Sequence, residues 1–164
     1  MIPFSFLLSL MALIIQMHMH FPILAFVPFL AVVSLLAKFS NAILLAALAG
    51  FCLDLVSSDP FGIHALNYSL CVLALYRYRT LFSATIPLQF SIYTAVFSSV
   101  STILQIGLLF LFDSEPKFLG RWWLVCLPCI DAVYALIWFA GPLALVRMGR
   151  RMWSIFWLKR NSQN

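Results

Sequence analysis

The chain has 164 residues, 64% of them hydrophobic and 9% charged, with ten Lys and Arg against five Asp and Glu and a formal net charge of +5. Its mean hydropathy of +1.04 is far above what one small aqueous core under a polar skin can hold. This excludes an ordinary soluble domain, and nucleic acid as the target of the positive charge, since no soluble basic domain carries it.

Long apolar runs broken by short charged punctuation, with no period-two alternation, predict an all-α integral membrane protein and not a transmembrane barrel. About six transmembrane helices are expected, over residues 3–17, 21–37, 39–56, 60–76, 87–112 and 122–146, packed as a compact bundle spanning 1–146 and followed by a basic cytoplasmic tail over 147–164. The first run lacks a basic n-region and has no small-x-small cleavage site before Phe21, so it reads as an uncleaved helix and not as a secretory signal. Spans one and two fall short of the about 20 apolar residues a bilayer requires, which fits local thinning or a hairpin that does not fully cross. Between them, Met17-His18-Met19-His20 offers thioether and imidazole donors of the kind copper takes. As a short loop it needs no metal, and none is expected.

The third span holds the residue that most needs explaining. Asp54 lies within an apolar run, where a carboxylate at the centre of a spanning helix costs roughly 2.5 to 3.5 kcal/mol. Counting back by four gives Gly50, Ala46 and Ala42, a stripe of small residues that permits close helix approach and turns Asp54 towards protein. Beyond it, Asp59-Pro60 predicts an N-cap and a first helical residue. Only Ser57 and Ser58 then remain as a connection, the two helices pack as an antiparallel pair, and His64 and Asn67 become candidate partners of Asp54.

Orientation follows from the bases. Lys38 lies between spans two and three, Arg77 and Arg79 between four and five, and Arg147, Arg150, Arg151, Lys159 and Arg160 after span six. All fall on one side of a six-span topology, which places both termini in the cytoplasm. Residues 113–121 carry both signs and do not contest this. In the tail, bases alternate with Trp153, Phe156 and Trp157 as in an interfacial helix, where each base near an anionic leaflet contributes about 1 kcal/mol; the tail reads as a stop-transfer flank or as a docking surface for a cytoplasmic partner.

Span six contains Cys126-Leu-Pro-Cys129 and a second acid, Asp131. The cysteine pair has redox or metal spacing but no second ligand pair, and like Cys52 and Cys71 it reads as small apolar filling. Asp131 reads as a polar contact between helices or as part of an ion or ligand path. No nucleophile-base-orienter set, phosphate loop or zinc pattern occurs, so neither enzymatic activity nor a cofactor is expected.

At Gly50-Phe-Cys-Leu-Asp54, then Pro60-Phe61-Gly62 and Ala65-Leu66, the sequence resembles the rod shape-determining MreD family, with Phe61 where that family usually has leucine. Length, hydropathy profile and the basic residues after the last helix extend the likeness over nearly the whole chain. The resemblance implies a fold similar to the S-components of vitamin transporters. It also implies a place in the bacterial cell inner membrane, in the complex that elongates the lateral wall. There such proteins are non-enzymatic scaffolds required for rod shape. They bind a bitopic MreC-like partner and work indirectly with MreB, the RodA glycosyltransferase and a class B penicillin-binding protein in peptidoglycan synthesis.

A scaffold of this kind predicts a mild Asp54→Asn and a Gly50→Leu that abolishes partner binding. The alternative, a small-molecule transporter or its substrate-binding membrane subunit, would use Asp54, His64 and Asn67 to line a polar pocket. A third reading, an intramembrane redox or copper protein, would use Cys126, Cys129 and the Met-His run.

Overall fold

The computed structural model describes residues 2–19, 24–57, 59–82, 86–112 and 123–137. Among them are six α-helices and no strand: α1 (Ile2–Met19), α2 (Val27–Leu36), α3 (Phe39–Asp54), α4 (Ile63–Leu75), α5 (Pro87–Leu111) and α6 (Trp123–Ala135). A 3-10 segment, Tyr76–Leu81, continues α4.

The bundle is built around its shortest helix. Every residue of α2 from Val27 to Ser34 is buried, and α2 touches each of the other five helices or the 3-10 segment after α4. Phe26, Phe29, Leu30 and Val33 are wholly enclosed, with Phe6 of α1 set edge-on to Phe29 at 5.2 Å. A helix apolar on all sides is stable only inside such a ring. The helix starts at Val27 and not at Phe21, because the chain first turns through Ala25 and Phe26, closed by the Val27 N–H on the Leu24 carbonyl. Pro28 then occupies the first turn, where a missing N–H costs nothing. Ten residues rise only about 15 Å, half the hydrocarbon thickness of a bilayer.

Helix α5 is the opposite case. Its 25 residues begin at Pro87 and rise about 37 Å, and among the described residues it is the one helix long and apolar enough to cross a membrane. Its outer side exposes Leu88, Ile92, Val96 and Ile103, while Ser91, Thr94, Ser98, Ser101 and Thr102 are buried. Thr94 and Thr102 donate to carbonyls one turn back within α5, so their hydroxyls need no other helix. The same distribution holds among the described residues: large apolar side chains such as Leu7, Met11, Leu44 and Leu48 face outward, and twelve polar or charged residues lie inside.

Helices α3 and α4 form the most extensive pair, followed by α5 with α6. Helix α4 differs from its sequence expectation at its first end: it starts at Ile63, three residues beyond Pro60, and Pro60 is exposed and non-helical.

Candidate functional site

The displaced start of α4 comes from Asp54. The carboxylate at the end of α3 reaches across the turn, where Oδ1 accepts the His64 N–H at 3.0 Å and Oδ2 accepts the Ala65 N–H at 3.2 Å. These are the second and third amides of α4, the two that an N-cap side chain ordinarily satisfies. A side chain ten residues upstream does the capping, its charge set against the positive end of the helix dipole. The residue at the N-cap position, Gly62, offers no side chain and holds φ +93°, the left-handed conformation that turns the chain into α4. Asp59 therefore does not cap the helix.

Close approach makes the reach possible. A Cβ on Gly50 would stand 2.5 Å from the Ala65 nitrogen and the His64 carbonyl oxygen, and against the Ala65 Cα, all backbone atoms. Ala46 and Ala42, one and two turns earlier, have no exposed surface, and Gly50 is buried with them. The small stripe is thus the face of α3 on which α4 lies, and Asp54, 4% exposed, is enclosed at its end.

His64 and Asn67 are near but do not use their side chains on Asp54. The His64 Nε2 lies 3.3 Å from the Ser57 hydroxyl and 3.3 Å from the Asp59 carboxylate. Ser57 in turn accepts the Asp59 N–H at 3.0 Å, so the turn is bound to the first turn of α4. Asn67 faces α5, where its amide donates to Ser101 at 3.0 Å and its carbonyl oxygen accepts the Cys71 thiol. Both residues were expected as partners of the carboxylate, and His64 is one through its backbone N–H; with both oxygens taken by amides, neither side chain bonds it. On the outer side, Phe61, at the position where the resembled family has leucine, meets Phe51 edge-on at 5.2 Å.

The second acid repeats the principle elsewhere. Asp131 of α6 is fully buried, accepts the Leu24 N–H ahead of α2 at 3.1 Å, and accepts the hydroxyl of Ser98 in α5. Three parts of the chain therefore meet on one carboxylate. Pro128 lies within α6 and is buried.

The other sequence candidates divide clearly. Cys126 and Cys129 are exposed and unpaired, Cys71 is buried and Cys52 half-buried. His18 is exposed, and His20 lies outside the described residues. No cluster of three or more His, Cys, Asp or Glu that could hold a metal occurs among the described residues. Arg147, Arg150 and Arg151 also lie outside them. The sequence reading missed Ser57, Ser98 and Ser101, although Ser91, Thr94, Ser98 and Ser101 recur at spacings of three and four along α5, which was a visible sign of a polar inner face.

The fold and the junction define an all-helical bundle whose buried carboxylates tie helix beginnings to neighbouring helices. No protein family, curated protein or solved structure matches the chain.

Proposed function

We propose that this chain is a multi-pass scaffold of the bacterial inner membrane, acting without catalysis in the manner of MreD to hold a single-pass MreC-like partner in the wall-elongation complex. The observation that carries the proposal is the α3–α4 junction. The glycine and aspartate of the motif that resembles MreD are the two residues on which the close, capped packing of that pair depends. A rigid pair of this kind is a shaped surface, and shape is what a helix-binding scaffold supplies.

Membrane residence is supported by the exposure of large apolar side chains around a polar interior and by the one helix of sufficient length. The cytoplasmic placement of the termini rests on the bases. Arg79 donates to the carbonyl of Ala37, the residue before Lys38, so two of the three expected cytoplasmic clusters share one end of the bundle. The transporter alternative asks Asp54 to be available to a ligand, whereas both of its oxygens already accept backbone amides.

The test is co-expression with a single-pass MreC-like protein and purification in detergent. The parent chain is expected to retain the partner and Gly50→Leu to lose it. Absence of any partner on the parent chain, or saturable binding of a small solute that Asp54→Asn abolishes, would overturn the scaffold reading.

A further inference from the structure

The end of the bundle opposite the α3–α4 turn concentrates positive charge, with no acid among the described residues to balance it. Ala37 closes α2 in an extended conformation, and its carbonyl oxygen accepts both the Tyr76 hydroxyl at 3.2 Å and an Arg79 guanidinium N–H at 3.0 Å. The guanidinium carbon also stands 4.1 Å from the centroid of the Tyr76 ring, which packs against Phe39 at 4.9 Å. Arg79 is thereby fixed beside Lys38, the next residue after Ala37. Exposed Arg77 lies on the same 3-10 segment.

Bases gathered at one corner favour an anion beside them, and the Ala37 carbonyl and the Tyr76 ring that hold Arg79 carry no full negative charge. Among the described residues the one ion pair is that of His64 with Asp59, in the other turn, so Lys38, Arg77 and Arg79 have no acidic partner there. Leu36, Phe39, Tyr78 and Leu81, around the same corner, are all exposed and apolar or amphipathic. That combination matches one kind of molecule: a phosphate bearing hydrocarbon chains. A fixed guanidinium suits phosphate oxygens, since its planar fork keeps donors to spare beyond the Ala37 bond.

We infer that the corner formed by Lys38, Tyr76 and Arg79 is a binding site for the phosphate of an anionic phospholipid, with Arg77 adding to the local field. This rests on the membrane reading above. It goes further than a general preference of bases for the cytoplasmic leaflet, because it assigns the lipid to a side chain that is already oriented.

The purified full chain is incubated in detergent with equal amounts of phosphatidylglycerol and phosphatidylcholine, and retained lipids are counted by native mass spectrometry. A second readout is the rise in unfolding temperature each lipid gives. Phosphatidylglycerol is expected to be favoured. Arg79→Gln should weaken it about five-fold and Lys38→Gln with Arg79→Gln about thirty-fold, from the contribution of each base near an anionic surface. Arg79→Lys, which keeps the charge but loses the planar fork, should fall between the parent chain and Arg79→Gln. Arg77→Gln removes the same charge from a side chain that no contact among the described residues orients, and should change it less than Arg79→Gln.

Equal losses at positions 77 and 79 would reduce the effect to diffuse attraction and overturn the site, as would a preference that survives the double substitution. Protection by inorganic phosphate equal to that by phosphatidylglycerol would overturn the lipid assignment. If Arg79→Gln fails to fold, Lys38→Gln, at an exposed residue, carries the comparison with Arg79→Lys. Flotation with vesicles separates the two levels: a chain that leaves vesicles of either composition refutes membrane residence, whereas one that floats with both but shows no lipid preference refutes only the site.

Discussion

Gly50→Ala is the smallest change that tests the junction. The added methyl would stand 2.5 Å from two backbone atoms of α4, and neither can rotate away. Restoring an ordinary contact of about 3.5 Å requires α3 and α4 to separate by about 1 Å. The Asp54 bonds, now 3.0 and 3.2 Å, then stretch past the range in which such a bond holds. Forced overpacking costs about 1–3 kcal/mol, and losing one hydrogen bond to a charged group adds about 1.5–3 kcal/mol. The sum, about 2.5–6 kcal/mol, lowers the unfolding temperature of a chain of this size by about 5–20 °C. Thermal unfolding in a fixed detergent, monitored by intrinsic tryptophan fluorescence, reads it directly. If Gly50→Ala unfolds within about 2 °C of the parent and retains its partner, the close approach is not what holds the pair together and the reasoning fails.

Three further outcomes follow from the same geometry. Asp54→Asn should not be mild, contrary to the expectation from preserved shape and hydrogen bonding: one end of the amide is a donor and would face an N–H, costing about 1–3 kcal/mol, and Asp54→Ala should cost more because both amides lose their acceptor, with the order read from unfolding temperatures. At Gly62 there is open space but a left-handed φ, so Gly62→Ala should cost about 1–2 kcal/mol and Gly62→Val more, with Gly62→Asn the best tolerated in the same assay. Ser98→Ala removes one donor from buried Asp131 and should destabilise by about 1–3 kcal/mol, and Asp131→Leu, which orphans the Leu24 N–H as well, should loosen α6 and speed hydrogen exchange ahead of α2.

Much of the architecture was legible because hydropathy alone delimits helices. The expected ends of α3 and α5 lie within two residues of those found, and the stripe leading to Asp54 was visible from a count of four. What escaped was the chemistry between elements. Asp59-Pro60 is a sound local start signal for a helix, but a carboxylate from the preceding helix took the cap three residues later, and no local rule sees a donor-acceptor pair that spans a turn. His64 is a partner of Asp54 through its backbone N–H and not through its ring, whereas Asn67 bonds Ser101 instead. A count along the chain gives their proximity to Asp54 but not the competing claims of Ser57, Asp59 and Ser101. The short central α2 was expected to be short, yet its enclosure by the other helices is a property of the assembled bundle.

The capping of α4 by Asp54 also bears on how such a chain is made. Acid and amides lie only ten and eleven residues apart, so on the membrane reading the carboxylate of the third helix finds its hydrogen-bond donors only once the start of the fourth has been made. Neither segment is a comfortable passenger alone. On the membrane reading, the two leave the insertion machinery together as one hairpin, and a tag or reporter spliced between residues 54 and 64 would strand both.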